Sequence, residues 1–196
     1  MMTPEQDDAA PLAFDPNDPK HLLPLVSKDD PILHTKLEPF DFKADGAADR
    51  AIAVAKILAA SMLKYGGVGL AANQLGLTER AFVIKAAPQL IVCFNPKIVF
   101  YSEETSIAPE GCLSYPAVQL KVPRSRVIRI RYQQPNGKTT FTKWEGLTAR
   151  IAQHEYDHVE GTVFLDRVSK LKASLAKEKA SKLLRQRANV RLQAVS

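Results

Sequence analysis

Gln153-His154-Glu155-Tyr156-Asp157-His158-Val159-Glu160-Gly161 is the stretch around which the rest of the chain is read. His154 and His158 are four residues apart, so on a helix their imidazoles lie one above the other on a single face. Two imidazoles placed in that way can grip one metal ion, and Glu155 between them is positioned to act on a water held by that metal. The competing reading is two histidines on a solvated helix face. The helix itself is expected from about Gly146, with Leu147, Ile151, His154 and His158 on one side, to a stop near Gly161.

Two histidines leave a catalytic metal one protein ligand short, because such sites use three ligands and keep a fourth position open for water. After His158 only Glu160 and Glu178 follow among the glutamates, and neither has the spacing of a metallopeptidase ligand. Cys112 is the better candidate. It lies in Glu110-Gly111-Cys112-Leu113-Ser114-Tyr115-Pro116, beside a glycine and near Pro109 and Pro116, which reads as a bend rather than a strand centre. A thiolate there would be stabilised by the metal itself. Cys93 sits inside Ile91-Val92-Cys93-Phe94 and reads as core packing. Were it also a ligand, the site would be a closed, structural Cys₂His₂ site, although no Cys-x-x-Cys spacing supports one.

Around these motifs the chain divides by composition. Residues 1 to about 30 hold Pro4, Pro11, Pro16, Pro19 and Pro24 among many acids, which predicts an extended or partly disordered arm, with Leu22 to Val26 pinning its end to the body. The boundaries expected are an arm over 1–25, a catalytic domain over 26–168 and a basic helix and tail over 169–196. Alanine-rich sequence from about Asp49 to Tyr65, with Ile52, Val54, Ile57, Leu58, Met62 and Leu63, predicts a helix buried over much of its circumference and ended by Gly66-Gly67. Strands are predicted at Ala81 to Lys85, Leu90 to Phe94 and Lys97 to Tyr101, and a hairpin joins Val127–Gln133 to Thr139–Trp144 through Pro135-Asn136-Gly137.

Gly67-Val68-Gly69-Leu70-Ala71-Ala72-Asn73-Gln74 lets a second backbone come close, but by itself it is as compatible with a plain turn. It does not fit a dinucleotide fingerprint, since Ala72 stands where the third glycine belongs and no strand precedes it.

Charge is concentrated at one end. Residues 170–196 carry eight Lys or Arg against one acid, so with a net charge of +6 the preceding 169 residues stand at −1. No apolar run approaches a membrane span. Met1 to Asp8 lacks the layout of a secretory or transit signal, and two cysteines are too few for a disulfide framework, so a cytoplasmic, membrane-free protein is expected.

The three quoted motifs, Gly67 to Gln74, Glu110 to Ser114 and His154 to His158, resemble those of bacterial peptide deformylases in the family's order. The resemblance runs over roughly residues 25 to 190. It implies an α+β fold: small antiparallel β-sheets surround a central metal-binding helix, with an N-terminal helix and a C-terminal helix. It also implies removal of the N-formyl group from the N-terminal formyl-methionine of nascent polypeptides.

Carried over residue by residue, the resemblance makes Cys112, His154 and His158 the ligands of one divalent metal, Fe²⁺ in the typical member, with Zn²⁺ or Ni²⁺ on the same atoms. The metal would activate a water by lowering its pKa. Glu155 would take the proton and pass it to the leaving amine. Gln74 and the backbone N–H of Leu113 would meet the oxyanion together with the metal. Backbone of Val68, Gly69 and Gly111 would pair with the substrate as an added strand. Leu147 and Ile151, on the histidine face of the helix, are assigned with Val68 to the methionine pocket, plain core contact being the other reading. Gln119 stands where many members have a basic residue. The basic last helix, about Ser169 to Arg191 with Leu171, Leu175, Leu183 and Leu184 among its charges, reads either as a solvated face or, as in some deformylases, as a ribosome-docking element. Two rival functions are a small metallopeptidase cutting internal bonds, and a ribosome- or RNA-binding module with a structural metal.

Overall fold

Ala-rich sequence after Gly46 forms the first long helix, α1 (Ala47–Lys64), in a computed structural model that describes residues 13–193. From 53 to 62 every residue of α1 is buried or half-buried, Val54, Leu58 and Met62 completely, so the helix is covered over much of its circumference as expected, and only toward its ends do Ile52 and Leu63 stay about 40% exposed. The chain then enters a short strand, β1 (Gly69–Ala71), and a single 3₁₀ turn over Ala72–Leu75.

Six further strands follow: β2 (Ala81–Ala86), β3 (Gln89–Tyr101), β4 (Thr105–Cys112), β5 (Tyr115–Ser125), β6 (Val127–Gln133) and β7 (Thr139–Glu145). They make two antiparallel sheets, one of five strands in the order β1-β2-β3-β6-β7 and one hairpin, β4-β5. The two strands predicted at Leu90–Phe94 and Lys97–Tyr101 are one: β3 runs through both, and its register against β6 slips between Phe94 and Lys97 where Asn95 takes a positive φ of 49°. The turn formers mark an irregularity, not an end. Side chains alternate in β6, with Ile128, Ile130 and Tyr132 fully buried and Arg129 and Arg131 on the other face.

Helix α2 (Gly146–Val159) lies against β1 and β2 and completes the main core with Ala149 and Ala152. Gly161 ends it at φ +72°, and a side chain there would stand 2.8 Å from the Thr35–Lys36 backbone, so both conformation and space require glycine. The carbonyls of the last turn are fully engaged: His158 O accepts from Asn73 Nδ2 at 2.7 Å, and Val159 O accepts from Leu37 N at 3.0 Å and Arg80 Nη1 at 3.0 Å.

Helix α3 (Lys170–Gln193) rides on β5 over a second, smaller core of Tyr115, Val118, Leu120, Val122, Phe164 and Leu165. It reaches that core through Ala180, 4% exposed, with Ala173 and Ala176 beside it, while Leu171 and Leu175 are 70% and 56% exposed. The N-terminal segment is tied to the body between Leu23 and Val26, within the stretch expected to pin it. Leu23 N donates to Ser61 Oγ, the Tyr65 hydroxyl donates to Leu23 O, and Val26 N donates to Gln74 O. The first twelve residues of the expected arm and the last three of the tail lie outside the described residues.

Candidate active site

The functional side chains arrive from three places: the end of β4, the turn after β1, and α2. Cys112 is the last residue of β4, at the tip of the β4-β5 hairpin, where Leu113 and Ser114 make the reversal. The bend expected at Cys112 is this hairpin tip, and the cysteine is half-buried there while Cys93 is fully buried in β3. Helix α2 presents His154 and His158 on one face, their ring centroids 5.2 Å apart. One ligand atom from each of Cys112, His154 and His158 lies within 4.8 Å of the other two, and Cys112 Sγ is 3.3 Å from His158 Nε2.

These residues fit a metal ion. A thiolate and two imidazoles are the donors that borderline divalent cations take, with a position left open. His154 Nδ1 faces Glu110 Oε2 at 3.1 Å, which fixes Nδ1 as the protonated nitrogen and leaves Nε2 free for a ligand bond. Burial pulls the His154 imidazole down, but the bonds to Cys112 and Glu110 outweigh it and push it up to about 10. Burial, with His154 and Arg124 nearby, drives His158 well below its ordinary range and keeps it neutral, as a metal ligand must be.

Glu155, next to His154 on α2, lies against Gly69 of β1 and lines the same cavity as His154. Its carboxylate lies so close to Gly69 that a side chain there would meet Cδ at 2.8 Å, so that glycine makes room for the acid. Buried, with Oε2 unpartnered in the described structure, Glu155 is pushed up to about 7 by loss of solvent. Gln74 is held by the backbone three residues before it: Oε1 accepts from Ala71 N at 2.9 Å, which aims Nε2 at Ser114 Oγ (3.0 Å) and Cys112 Sγ (3.4 Å).

A cavity of about 470 Å³ opens onto this group, lined by Val68 and Gly69 on one side, Gly111, Cys112 and Leu113 on another, and Leu147 and Ile151 from α2. Ile151 is buried in its wall, whereas Leu147, 70% exposed, stands at its rim, so the two share a helix face without sharing an environment. Gln119 also borders the cavity.

Behind the histidines lies a set of buried charges that sequence reading did not find. Glu110 accepts from both Nε and Nη2 of Arg124 at 3.0 Å, from Arg150 Nη1 at 2.5 Å and from His154. Burial raises its carboxyl, but the bonds from His154 and Arg124 outweigh that and hold it down at about 2. Arg124 Nη1 also donates to Asp157 Oδ2 at 2.6 Å, and Asp157 is gripped in turn by Arg167. Glu110 and Asp157 both stand inside motifs quoted from the sequence; Arg124 and Arg150 carried no local signal, because their partners are 14 to 44 residues away.

With this geometry in place, comparison with known proteins identifies the chain's relatives. The family model for polypeptide deformylase matches residues 22–174. A peptide deformylase of Thermotoga petrophila is 36% identical over 159 residues, covering 80% of this chain and 93% of its own. Among solved structures, the Synechococcus elongatus peptide deformylase in complex with actinonin superposes with a TM-score of 0.72 at 31% identity, over 81% of this chain and 88% of that one. The Met-Ala-Ser-bound class I type b enzyme of Acinetobacter baumannii gives 0.68 at 29% identity, over 75% and 98%. The α+β architecture expected from the motifs is thus the one found, and the chain belongs to the polypeptide deformylase family.

Proposed function

We propose that this protein is a metal-dependent peptide deformylase, an amide hydrolase that releases formate from the N-formyl-methionyl end of nascent polypeptides. The observation that carries the reading is the convergence of Cys112, His154 and His158 on one point beside a buried Glu155. Metal-dependent deformylation is the activity of the family to which the chain belongs. We assign the metal to those three residues and take it to be Fe²⁺, with Zn²⁺ or Ni²⁺ as alternatives on the same atoms. When bound, it supplies Lewis acidity there and brings the pKa of a water it holds towards about 7.

The chain's own groups do the rest. Glu155 receives the proton that the attacking water gives up as its oxygen bonds to the formyl carbon. The Gln74 side-chain amide and the Leu113 N–H donate to the oxygen that turns negative. As the C–N bond breaks, Glu155 delivers the proton to the departing amine, leaving formate and a free methionyl N-terminus. Its elevated pKa near neutrality suits a group that must both take and return a proton.

The substrate would lie as an added strand between Val68 and Gly69 on one side and Gly111 on the other; β1 ends the five-stranded sheet and β4 belongs to a two-stranded one, so each has an unpaired edge. Ile151, Leu147 and Val68 would enclose the methionine side chain, Ile151 deep and Leu147 at the rim. The catalytic unit is assigned to 26–168, with 1–25 and 169–196 as appendages. No described helix is long and apolar enough to cross a membrane, and a cytoplasmic setting follows from the substrate proposed. The basic α3 is assigned to ribosome contact through phosphate attraction.

Formate release from formyl-Met-Ala-Ser by metal-loaded protein tests the reading. Glu155→Ala should lower the rate by about 10²–10⁴-fold; absence of formate from metal-loaded wild type overturns the assignment. Truncation after Arg167 should leave turnover of that short peptide in place and weaken co-sedimentation with ribosomes in a salt-dependent way, and unchanged co-sedimentation would remove the ribosome assignment.

A further inference from the structure

Arg150 borders the cavity, four residues before His154, but its charged end is buried and bonded away from it. Nη1 donates to Glu110 Oε1 at 2.5 Å and to Val122 O at 2.8 Å; Nη2 donates to Ser106 O at 2.7 Å and Ser106 Oγ at 3.0 Å. The two backbone acceptors lie on different strands, Ser106 on β4 and Val122 on β5, and these strands carry Cys112 at their tip. The guanidinium thus joins the helix that bears two of the three metal-facing residues to the hairpin that bears the third.

The geometry points to Arg150 as a positioning residue for the metal site: we propose that it sets the distance between Cys112 and the histidine pair and steadies the Glu110 carboxylate that orients His154. This rests on the deformylase reading only for the reaction, since the metal group stands on geometry.

Three features support the role. Arg124, itself on β5, also grips Glu110 and reaches α2 at Asp157, on the C-terminal side of His154. Arg150 makes the tie on the N-terminal side of His154, from α2 to Val122 O on β5 and to Ser106 on β4. A planar fork with two donating ends can reach a carboxylate and two carbonyls at once, which an ammonium cannot. Finally, a solvated arginine at a cavity wall would not be 7% exposed with its guanidinium bonded at both ends.

The proposal is tested on the full chain with metal alone. Zn²⁺ release to a chelator and the visible spectrum of the Co²⁺-substituted protein should be compared for wild type, Arg150→Met and Arg150→Lys, alongside kcat and KM for formyl-Met-Ala-Ser and a thermal melt of each. Arg150→Met should release Zn²⁺ about 10–100-fold faster, in the range seen when groups supporting metal ligands are removed. It should also shift the cobalt–thiolate absorption and lower kcat by about tenfold, with KM changed less. Arg150→Lys should fall between the two, because one bond to Glu110 is regained and those to the strands are not. A folded Arg150→Met protein with wild-type metal release and cobalt spectrum overturns the proposal, even if its melting temperature falls. Should Arg150→Met fail to fold, wild-type release from Arg150→Lys overturns it equally. The metal measurements need no formylated substrate, so a failure of the deformylase reading leaves them interpretable.

Discussion

Helices α2 and α3 invert each other's relation between composition and burial. In α2 the residues packed inside include Arg150, Gln153, His154, Glu155, Asp157 and His158, while Leu147 stands at the surface. In α3, nearly twice as long, Ala180 is the buried residue among those whose side chains are described, and the leucines face outwards with the lysines and arginines. Burial of most of α2's polar groups is sustained by partners: the Glu110 and Asp157 carboxylates lie against Arg124, Arg150 and Arg167, at a desolvation cost that a purely structural helix has no reason to meet. Contact through α3 is made by small side chains over one strand, which leaves its larger residues available. One helix is specified by chemistry, the other by shape.

The contrast can be broken most severely inside α2's network. Arg124→Met removes the cation shared by Glu110 and Asp157 and leaves two buried carboxylates short of a partner; a loss of about 3–5 kcal/mol in urea unfolding is expected. A loss under about 1 kcal/mol would mean that the network is not needed for the fold. On the α3 side, Ala180→Leu overfills the contact with β5 and should cost about 1–3 kcal/mol, while the rate with formyl-Met-Ala-Ser stays near wild type. A fall in kcat without loss of stability would show that the two helices are not independent. The smallest effect belongs to Leu175→Lys, which changes an exposed leucine and should shift stability by less than about 0.5 kcal/mol. A larger loss would mean that this leucine is covered in solution.

The same contrast explains what was legible beforehand. The His154–His158 spacing is local, so its helix and its chemistry could be read directly, and Cys112 was separable from Cys93 because glycine and proline surround it. The β4-β5 hairpin was not anticipated. Thr105-Ser106-Ile107-Ala108-Pro109-Glu110-Gly111-Cys112 has no clean alternation and two strand breakers, and it is a strand because β5 pairs with it over nearly its whole length. Arg150 offers no sign of its role in the local sequence. Its acceptors, Ser106, Glu110 and Val122, become neighbours only once the hairpin is built. In α3 nothing in the periodicity shows that alanine would make the contact with β5.

His158 sits in the last turn of α2, the part of a helix that ordinarily unwinds first because its carbonyls lack partners. Here the amide of Asn73, the backbone N–H of Leu37 and the guanidinium of Arg80 occupy those carbonyls from three separate parts of the chain. Fraying is therefore suppressed at the position where it would do most harm. The turn that carries His158 is thus fastened to three other parts of the chain by hydrogen bonds to its own backbone.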